Sequence, residues 1–436
     1  MSSLTHEEYK LSLPMAILIN INIMLGAGIF INTPELAKQA GVLGAFNYLL
    51  VGLLMLPLIL SIAELLKLHP AGGFYAFAQK EINPFSGFLS GWSYFTSKLA
   101  SAMVMTHVSV TLLQQLFPAL RIVHPFVFDT AIICCFVALN TLNIKAGSTI
   151  QKMFISFKTV PIFFAITSGI FLLNGDNFAT AHMLWAGIPT SLPLVIYAVI
   201  GFEAACSVSN KIKNAEKNAP LAVLISFGIV VCIAFLYQLF FYGALGTTLQ
   251  NVADYRGAFP ALLQTLLPHS PVLAFKLQGI LHIAIASSTL GAAYGIMFSN
   301  CWNLYTLAQN KHVLFPAVFT TFNRHFIPVA CVVVEGLLCL VYLAVSQGNT
   351  VPLQQIGALG CVIAYCFSAY SLLRAKQRDA SIALHILVPV LGLGSCAILL
   401  TACINSFFVK GMSSLIIYSI LIGLGVCMYA YTKKQK

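Results

Sequence analysis

The chain has 436 residues, of which 59% are hydrophobic and only 8% are charged, and its mean hydropathy is +0.90. A soluble domain keeps about a quarter of its residues charged, because its surface must stay hydrated. This composition excludes a soluble globular protein and indicates that most of the outer surface faces lipid.

Apolar stretches long enough to cross a hydrocarbon core of ~30 Å recur about twelve times along the chain. Backbone groups in lipid must find their hydrogen-bond partners within the protein, so these stretches are predicted to be helices. Numbered in chain order, the predicted spans are Leu13–Thr33, Gly41–Ala63, Pro84–Leu116, Pro125–Leu142, Ile150–Leu173, Ile188–Val208, Pro220–Leu245, Val272–Ala308, Ile327–Val345, Val351–Leu373, Ile382–Phe408 and Met412–Tyr431. We therefore predict an all-α polytopic membrane protein with a single transmembrane domain.

The basic residues predict the orientation of these spans. The net charge is +11, but if both termini lie on one side, 17 of the 23 Lys and Arg lie on that side. The opposite loops hold Lys38, Arg121, Arg256, Lys276 and Lys410. The positive-inside rule then places both termini in the cytoplasm, so the charge indicates topology rather than a nucleic-acid partner. The N-terminal residues lack the features of a cleaved signal peptide. The expected location is the plasma membrane, or the inner membrane of a bacterium.

Two spans are interrupted by glycine well inside their apolar runs. Span 1 is broken at MLGAGIF (Met24–Phe30) and span 6 at VIGFEAA (Val199–Ala205). If residues 13–173 and 188–373 are two five-helix halves, spans 1 and 6 are corresponding members, and the odd number of helices inverts one half relative to the other. Such a pair of broken helices points to a substrate site near the middle of the membrane. Residues 382–431 then add helices 11 and 12 outside the repeat.

Four motifs in order resemble the amino acid–polyamine–organocation permeases. They are NIMLGAGIFINTPELAKQAG (Asn22–Gly41), AELLKLHPAGGFYAF (Ala63–Phe77), IGFEAACSVSNKIKNAEKNAP (Ile200–Pro220) and LGAAYGIMFSNCWNLYTLAQNKHVLFP (Leu290–Pro316). Each motif is loose, but four in this order at the matching spans are specific. The resemblance implies the inverted five-plus-five fold, amino acids or related amines as substrates, and no cofactor.

By this resemblance, the substrate carboxylate meets the free N–H groups of Gly26, Ala27 and Gly28, where the second half of span 1 begins. The substrate ammonium is expected near the backbone carbonyls around Met24 in span 1, and around Tyr197 and Ile200 in span 6. Glycine suits such a break because it lets backbone and ligand approach closely.

Gating and coupling residues are also implied by the resemblance. Tyr197 and Tyr294 align with aromatic positions that cover the substrate in relatives, and packed tyrosines are the alternative. Lys158 in span 5 matches a lysine of proton-coupled relatives, where an ammonium occupies the place of a sodium ion; a lysine that reaches to the membrane surface is the alternative. Glu203 aligns with a glutamate that senses protons or ties helices together.

The resemblance does not account for Lys98 in span 3 or Glu335 in span 9. Lys98 lies too deep to reach the membrane surface, so it is paired, neutral or in a water-filled cavity. If it faces the pocket, its charge favours neutral or acidic substrates; the alternative is a pair with a neighbouring acidic residue. Glu335 is a candidate ion-pair partner.

Together these features predict a secondary active transporter of amino acids that works by alternating access, by proton symport or by substrate exchange. Two alternatives stay open: a basic amino acid or polyamine antiporter, and an amino-acid sensor of the same fold that does not transport. No nucleophile–base or metal-ligand motif supports an enzyme, and the twelve scattered cysteines suggest no metal site.

Overall fold

The computed structural model describes residues 10–70, 72–142, 144–179, 182–375, 386–410 and 412–434. Within these ranges most residues are helical and no β-strand is formed; only the isolated bridges Leu11–Ile212 and Gly41–Met183 occur. The predicted fold class is thereby confirmed. Residues 382–385 of predicted span 11 lie outside the described residues. So do three of the 17 Lys and Arg assigned to the side of the termini, namely Lys376, Arg378 and Lys436.

Each predicted span coincides with a helix or with a broken pair of helices. In chain order the spans are Leu13–Met24 with Ala27–Ala40, Leu43–Leu68, Pro84–Leu116, Pro125–Asn140, Ile144–Phe171, Ile188–Val199 with Ala204–Ser207, Ala215–Leu245, Pro271–Gln309, Val329–Ser346, Thr350–Arg374, Val388–Lys410 and Ser413–Lys434. The connections contain the α-helices Phe74–Glu81, Thr247–Gln250, Ala258–Leu266 and Pro316–Phe319, and the 3₁₀ turns Pro118–Ile122, Gly175–Phe178, Trp185–Gly187, Ser209–Lys211 and Tyr255–Gly257.

Not every span is a full-length helix. In the described part of the chain, nine helices are long and apolar enough to cross a membrane, and the two halves of span 1, bent by 41° at their break, make a tenth candidate. Spans 4 and 6 are shorter apolar helices. Span 4 has only 16 residues, and span 6 is short because its helix is interrupted. The breaks predicted in spans 1 and 6 are both present, whereas the repeat boundaries at residues 13–173 and 188–373 stay a prediction.

Local sequence explains where the long central helix begins. Pro84 occupies the first turn of span 3, where its missing N–H has no helical partner to lose. The Asn83 side chain caps this end, since its Oδ1 accepts a hydrogen bond of 2.9 Å from the Ser86 amide.

Spans 3, 8 and 10 form the centre of the bundle. In the most apolar stretch of span 8, 78% of the residues are buried inside the protein, against 22% in span 12. Span 3 packs along spans 8 and 10, the first half of span 1 packs against spans 7 and 8, and its second half packs against the first half of span 6. Both breaks are thereby placed in the interior.

Candidate functional site

The two helix breaks contact each other. Gly201, in the break of span 6, has a φ of +132°, a conformation that favours glycine. A Cβ atom at Gly201 would lie 2.8 Å from Ile23 Cγ2 and 3.0 Å from the Met24 nitrogen, at the end of the first half of span 1. The backbone of one break therefore lies directly on the backbone of the other.

Asn20, one helical turn before Met24, also connects span 1 to span 6. Its side-chain oxygen accepts a hydrogen bond of 3.0 Å from the Ala205 amide, just after the span 6 break. Its side-chain nitrogen donates to Ser226 Oγ in span 7, at 3.1 Å. An amide that satisfies a free N–H at a helix start fixes the relative position of the two broken helices.

Lys158 of span 5 binds the end of the first half of span 1. Its fully buried Nζ donates to the carbonyl oxygens of Asn22 at 2.5 Å and Leu25 at 2.8 Å. Ser288 Oγ of span 8 also donates to Leu25 O, at 3.1 Å. The carbonyl end of a helix carries partial negative charge, so an ammonium is favourable there. Lys158 thus lies at the break and not at the membrane surface.

Asn22 extends this polar group toward spans 5 and 8. Its side-chain nitrogen donates to Gln151 Oε1 and, at 3.1 Å, to the backbone carbonyl of Gly291. Asn22 therefore holds the half-helix whose carbonyl Lys158 binds.

Lys98 and Glu203 form a buried ion pair between span 3 and the break of span 6. Lys98 Nζ lies 2.5 Å from Glu203 Oε1, and 5.3 Å from the centre of the Tyr94 ring. The other carboxylate oxygen, Oε2, accepts a hydrogen bond of 2.8 Å from the Gly201 amide. Of the two interpretations left open for Lys98, the structure supports pairing with an acidic residue. Glu203 also ties helices together, as one of its two predicted roles requires.

This arrangement changes the hydrogen bonding of Tyr197. In a continuous helix the Gly201 amide would donate to the Tyr197 carbonyl four residues earlier. Because this amide donates to Glu203 instead, the carbonyl of Tyr197 loses its usual donor. Ile200, with an extended ψ of 148°, ends the helix beside it. The Tyr197 carbonyl therefore lacks its helical hydrogen bond, at the place where the substrate ammonium was predicted to bind.

The glycines predicted to hold the carboxylate have different neighbours. A Cβ atom at Gly28 would lie 2.6 Å from Ala198 Cα, so Gly28 allows the second half of span 1 to pack on the backbone of span 6. A Cβ atom at Gly26 would instead lie 2.5 Å from Cε of the Met105 side chain. The amide nitrogen of Ala27, the first residue of the half-helix, lies 2.8 Å from Met105 Sδ.

The two predicted gate tyrosines are placed differently. Tyr197 is buried next to the break, and its ring lies beside Gly357 of span 10. Tyr294 is also buried, but its ring packs against Phe136 of span 4 and Phe154 of span 5. Span 8 instead contacts the span 1 break through Ser288 and Ala292. The structure therefore brings Tyr197, and not Tyr294, to the site.

Two clefts approach the breaks from different sides. The first, about 570 Å³, is lined by Asn32 of the second half of span 1, by Leu194 of the first half of span 6 and by Asp254. The second, about 350 Å³, is lined by Cys206 and Ser207 after the span 6 break and by Asn310. The residues of the breaks line neither of these two clefts; Leu25 and Ala27 are buried. The region of the two breaks thus lies between the two clefts and is open to neither of them.

Sequence reasoning missed several members of the site. Asn20, Asn22 and Ser288 are polar residues inside apolar spans, and that position alone could have marked them. Met105 gave no signal, because a methionine in a membrane helix is ordinary. Glu335 is buried on span 9 and forms no ion pair with the residues that the structure describes.

A helical membrane protein with two broken helices in contact, closed between two clefts, has the architecture of a secondary transporter. A family model described as amino acid permease matches residues 11–428, so the chain belongs to the amino acid permease family, within the amino acid–polyamine–organocation superfamily. The resemblance found in the sequence motifs is confirmed. The protein is therefore an integral multi-pass membrane protein, and its family points to a transporter of amino acids.

Proposed function

We propose that this permease transports neutral amino acids together with protons, through a site at the breaks of spans 1 and 6. Proton coupling is supported by one observation: the Lys158 ammonium donates hydrogen bonds to the carbonyls of Asn22 and Leu25. A cation at that position neutralises the carbonyl end of the half-helix without a metal ion. A buried lysine can also release its proton when its surroundings change, which gives the transport cycle a proton to exchange.

The predicted substrate contacts fit this site. The carboxylate binds at the amide end of the second half of span 1, at Gly26, Ala27 and Gly28. The ammonium binds at the carbonyls near Met24, Tyr197 and Ile200, and the released carbonyl of Tyr197 supports this assignment. Tyr197 covers the substrate from span 6. Each charge of the amino acid thereby meets an opposite partial charge of a broken helix.

The ion pair between Lys98 and Glu203 favours a neutral side chain in the substrate. A cationic substrate would compete with Lys98 for Glu203, and an acidic one would compete with Glu203 for Lys98. Removing one partner of a buried ion pair costs about 3–5 kcal/mol, because the other charge is left uncompensated. A side chain without charge avoids that cost. An unpaired Lys98 would favour neutral or acidic substrates, whereas the paired Lys98 favours neutral ones.

Uptake by purified protein in proteoliposomes tests the proposal. Each standard amino acid, together with putrescine and agmatine, is offered in sodium-free buffer with and without an inwardly directed proton gradient. We expect neutral amino acids to accumulate, and the gradient to increase their accumulation. Binding without accumulation would identify a sensor, and preferred uptake of arginine or putrescine would identify the basic amino acid or polyamine antiporter.

The orientation also belongs to this proposal. We place both termini in the cytoplasm and the protein in the plasma membrane, or the inner membrane of a bacterium, because of the distribution of Lys and Arg. Cysteine labelling from each side of intact cells tests it, with a cysteine engineered into the loop before span 8, residues 267–270. Reaction of that cysteine from the cytoplasmic side would reverse the assignment.

A further inference from the structure

Met105 contacts the backbone amide at which the substrate carboxylate is proposed to bind. Its Sδ atom lies 2.8 Å from the Ala27 nitrogen. Ala27 begins the second half of span 1, and the residue before it, Gly26, has no side chain that could cap this amide. The thioether of span 3 therefore takes the capping position at this half-helix, where a carboxylate oxygen would otherwise be the natural partner.

The surroundings of Gly26 show that Met105 lies over the break. A Cβ atom at Gly26 would be 2.5 Å from Met105 Cε and 2.6 Å from Met105 Sδ. The Cβ atom of Ala292 in span 8 would be 3.0 Å away. The buried end of the Met105 side chain thus fills the space directly above the glycine that leads into the half-helix.

We propose that Met105 is a lid residue that competes with the substrate carboxylate for the Ala27 amide, an inference that rests on the proposed amino acid transport. A thioether sulfur is a weak hydrogen-bond acceptor, whereas a carboxylate forms charge-assisted bonds about twice as strong as neutral ones. The carboxylate therefore displaces the thioether. The unbranched methionine side chain, with its three rotatable bonds, can move aside without a change in the backbone.

This competition makes Met105 a determinant of specificity. A ligand with a carboxylate gains its bond to Ala27 only after it displaces Met105. An amine that lacks the carboxyl group has no acceptor with which to displace Met105 and does not depend on it. Substitutions at Met105 therefore change the affinity for amino acids and leave the affinity for the corresponding amines unchanged.

The test measures ligand-induced thermal stabilisation of the purified protein. The probes are an equimolar mixture of the standard L-amino acids and the matched mixture of amines that lack the carboxyl group. Met105→Ala removes the competing group, and Met105→Gln replaces it by a carbonyl acceptor on a side chain of similar length. Since one hydrogen bond makes only a small net contribution to binding, we expect the half-maximal amino acid concentration to fall about threefold in Met105→Ala and to rise about fivefold in Met105→Gln.

Two controls separate this effect from loss of packing. Met103→Ala truncates a buried methionine of the same helix and should leave the half-maximal concentration unchanged. Met105→Leu keeps the bulk without the sulfur, and it should bind amino acids at least as tightly as the wild type. It also serves as the decisive variant if Met105→Ala fails to fold.

Each outcome bears on a different claim. If the amino acid mixture fails to stabilise the wild-type protein, both the proposed function and the proposed role of Met105 are refuted. If the wild type is stabilised but Met105→Ala or Met105→Leu binds amino acids more weakly, Met105 is a wall of the pocket and only the lid is overturned. Equal shifts for amino acids and for the amines without a carboxyl group would also overturn the proposed role of Met105.

Discussion

The ammonium of Lys98 lies 2.5 Å from a carboxylate oxygen of Glu203, and both side chains are buried. The second oxygen of Glu203 holds the Gly201 amide, so this ion pair connects span 3 to the break of span 6. A change in the pair therefore acts on the backbone that is proposed to bind the substrate.

The first prediction concerns stability. Lys98→Met leaves Glu203 buried without its cation, and Glu203→Gln leaves Lys98 without its anion, so each should lower the free energy of unfolding by about 3–5 kcal/mol. The double variant Lys98→Met/Glu203→Gln removes both charges and should lose less than the sum of the single changes. Thermal unfolding of the purified proteins measures this.

The half-exposed pair Lys67–Glu64 is the matched control, because its nitrogen–oxygen distance is also 2.5 Å. Substitutions there should change the free energy of unfolding by about 0–1 kcal/mol. Additive losses at Lys98 and Glu203 would show that the two residues act independently.

The second prediction concerns substrate selection. Wild-type protein should take up neutral amino acids, and neither arginine nor glutamate should compete efficiently. Lys98→Ala exposes the charge of Glu203 and should improve competition by arginine, whereas Glu203→Gln exposes the charge of Lys98 and should improve competition by glutamate. Competition for uptake in proteoliposomes measures both effects. Efficient arginine uptake by the wild type would refute the argument from the ion pair.

The third prediction separates the two glycines of span 1. In Gly28→Ala the new Cβ would lie 2.6 Å from Ala198 Cα, and a backbone atom cannot move aside without moving span 6. Gly28→Ala should therefore lower both the folded yield and the melting temperature. In Gly26→Ala the new Cβ meets the flexible end of Met105, so this protein should fold and show altered amino acid binding.

Gly228→Ala, in the helix of span 7, is the control for the third prediction, since no atom lies within 4 Å of its added Cβ. Its melting temperature should equal or exceed that of the wild type. If Gly28→Ala folds as well as Gly228→Ala, the close packing of spans 1 and 6 is not required for the fold.

The sequence predicted the spans and their two breaks because both leave local signals. Apolar runs of membrane length define the helices, and glycine inside such a run marks a break. The resemblance marked Lys158 as a candidate coupling residue, but its contacts with the Asn22 and Leu25 carbonyls could not be read from the sequence. The partner of Lys98 could not be predicted from the sequence, because Glu203 is distant along the chain. Their contact depends on how spans 3 and 6 are rotated about their own axes. The position of the Tyr294 ring could not be predicted for the same reason: its face of span 8 turns toward spans 4 and 5.

The most direct test of proton coupling is uptake of neutral amino acids by wild-type and Lys158→Ala protein in sodium-free proteoliposomes with an acidic exterior. Lys158→Ala removes the cation from the Asn22 and Leu25 carbonyls. Lys152→Ala, at an exposed position of the same helix, is the control. We predict that the wild type and Lys152→Ala accumulate substrate without sodium and that Lys158→Ala, although it inserts in the membrane, loses most transport. A strict sodium requirement in the wild type, or proton-driven uptake by Lys158→Ala at the wild-type rate, would contradict the account.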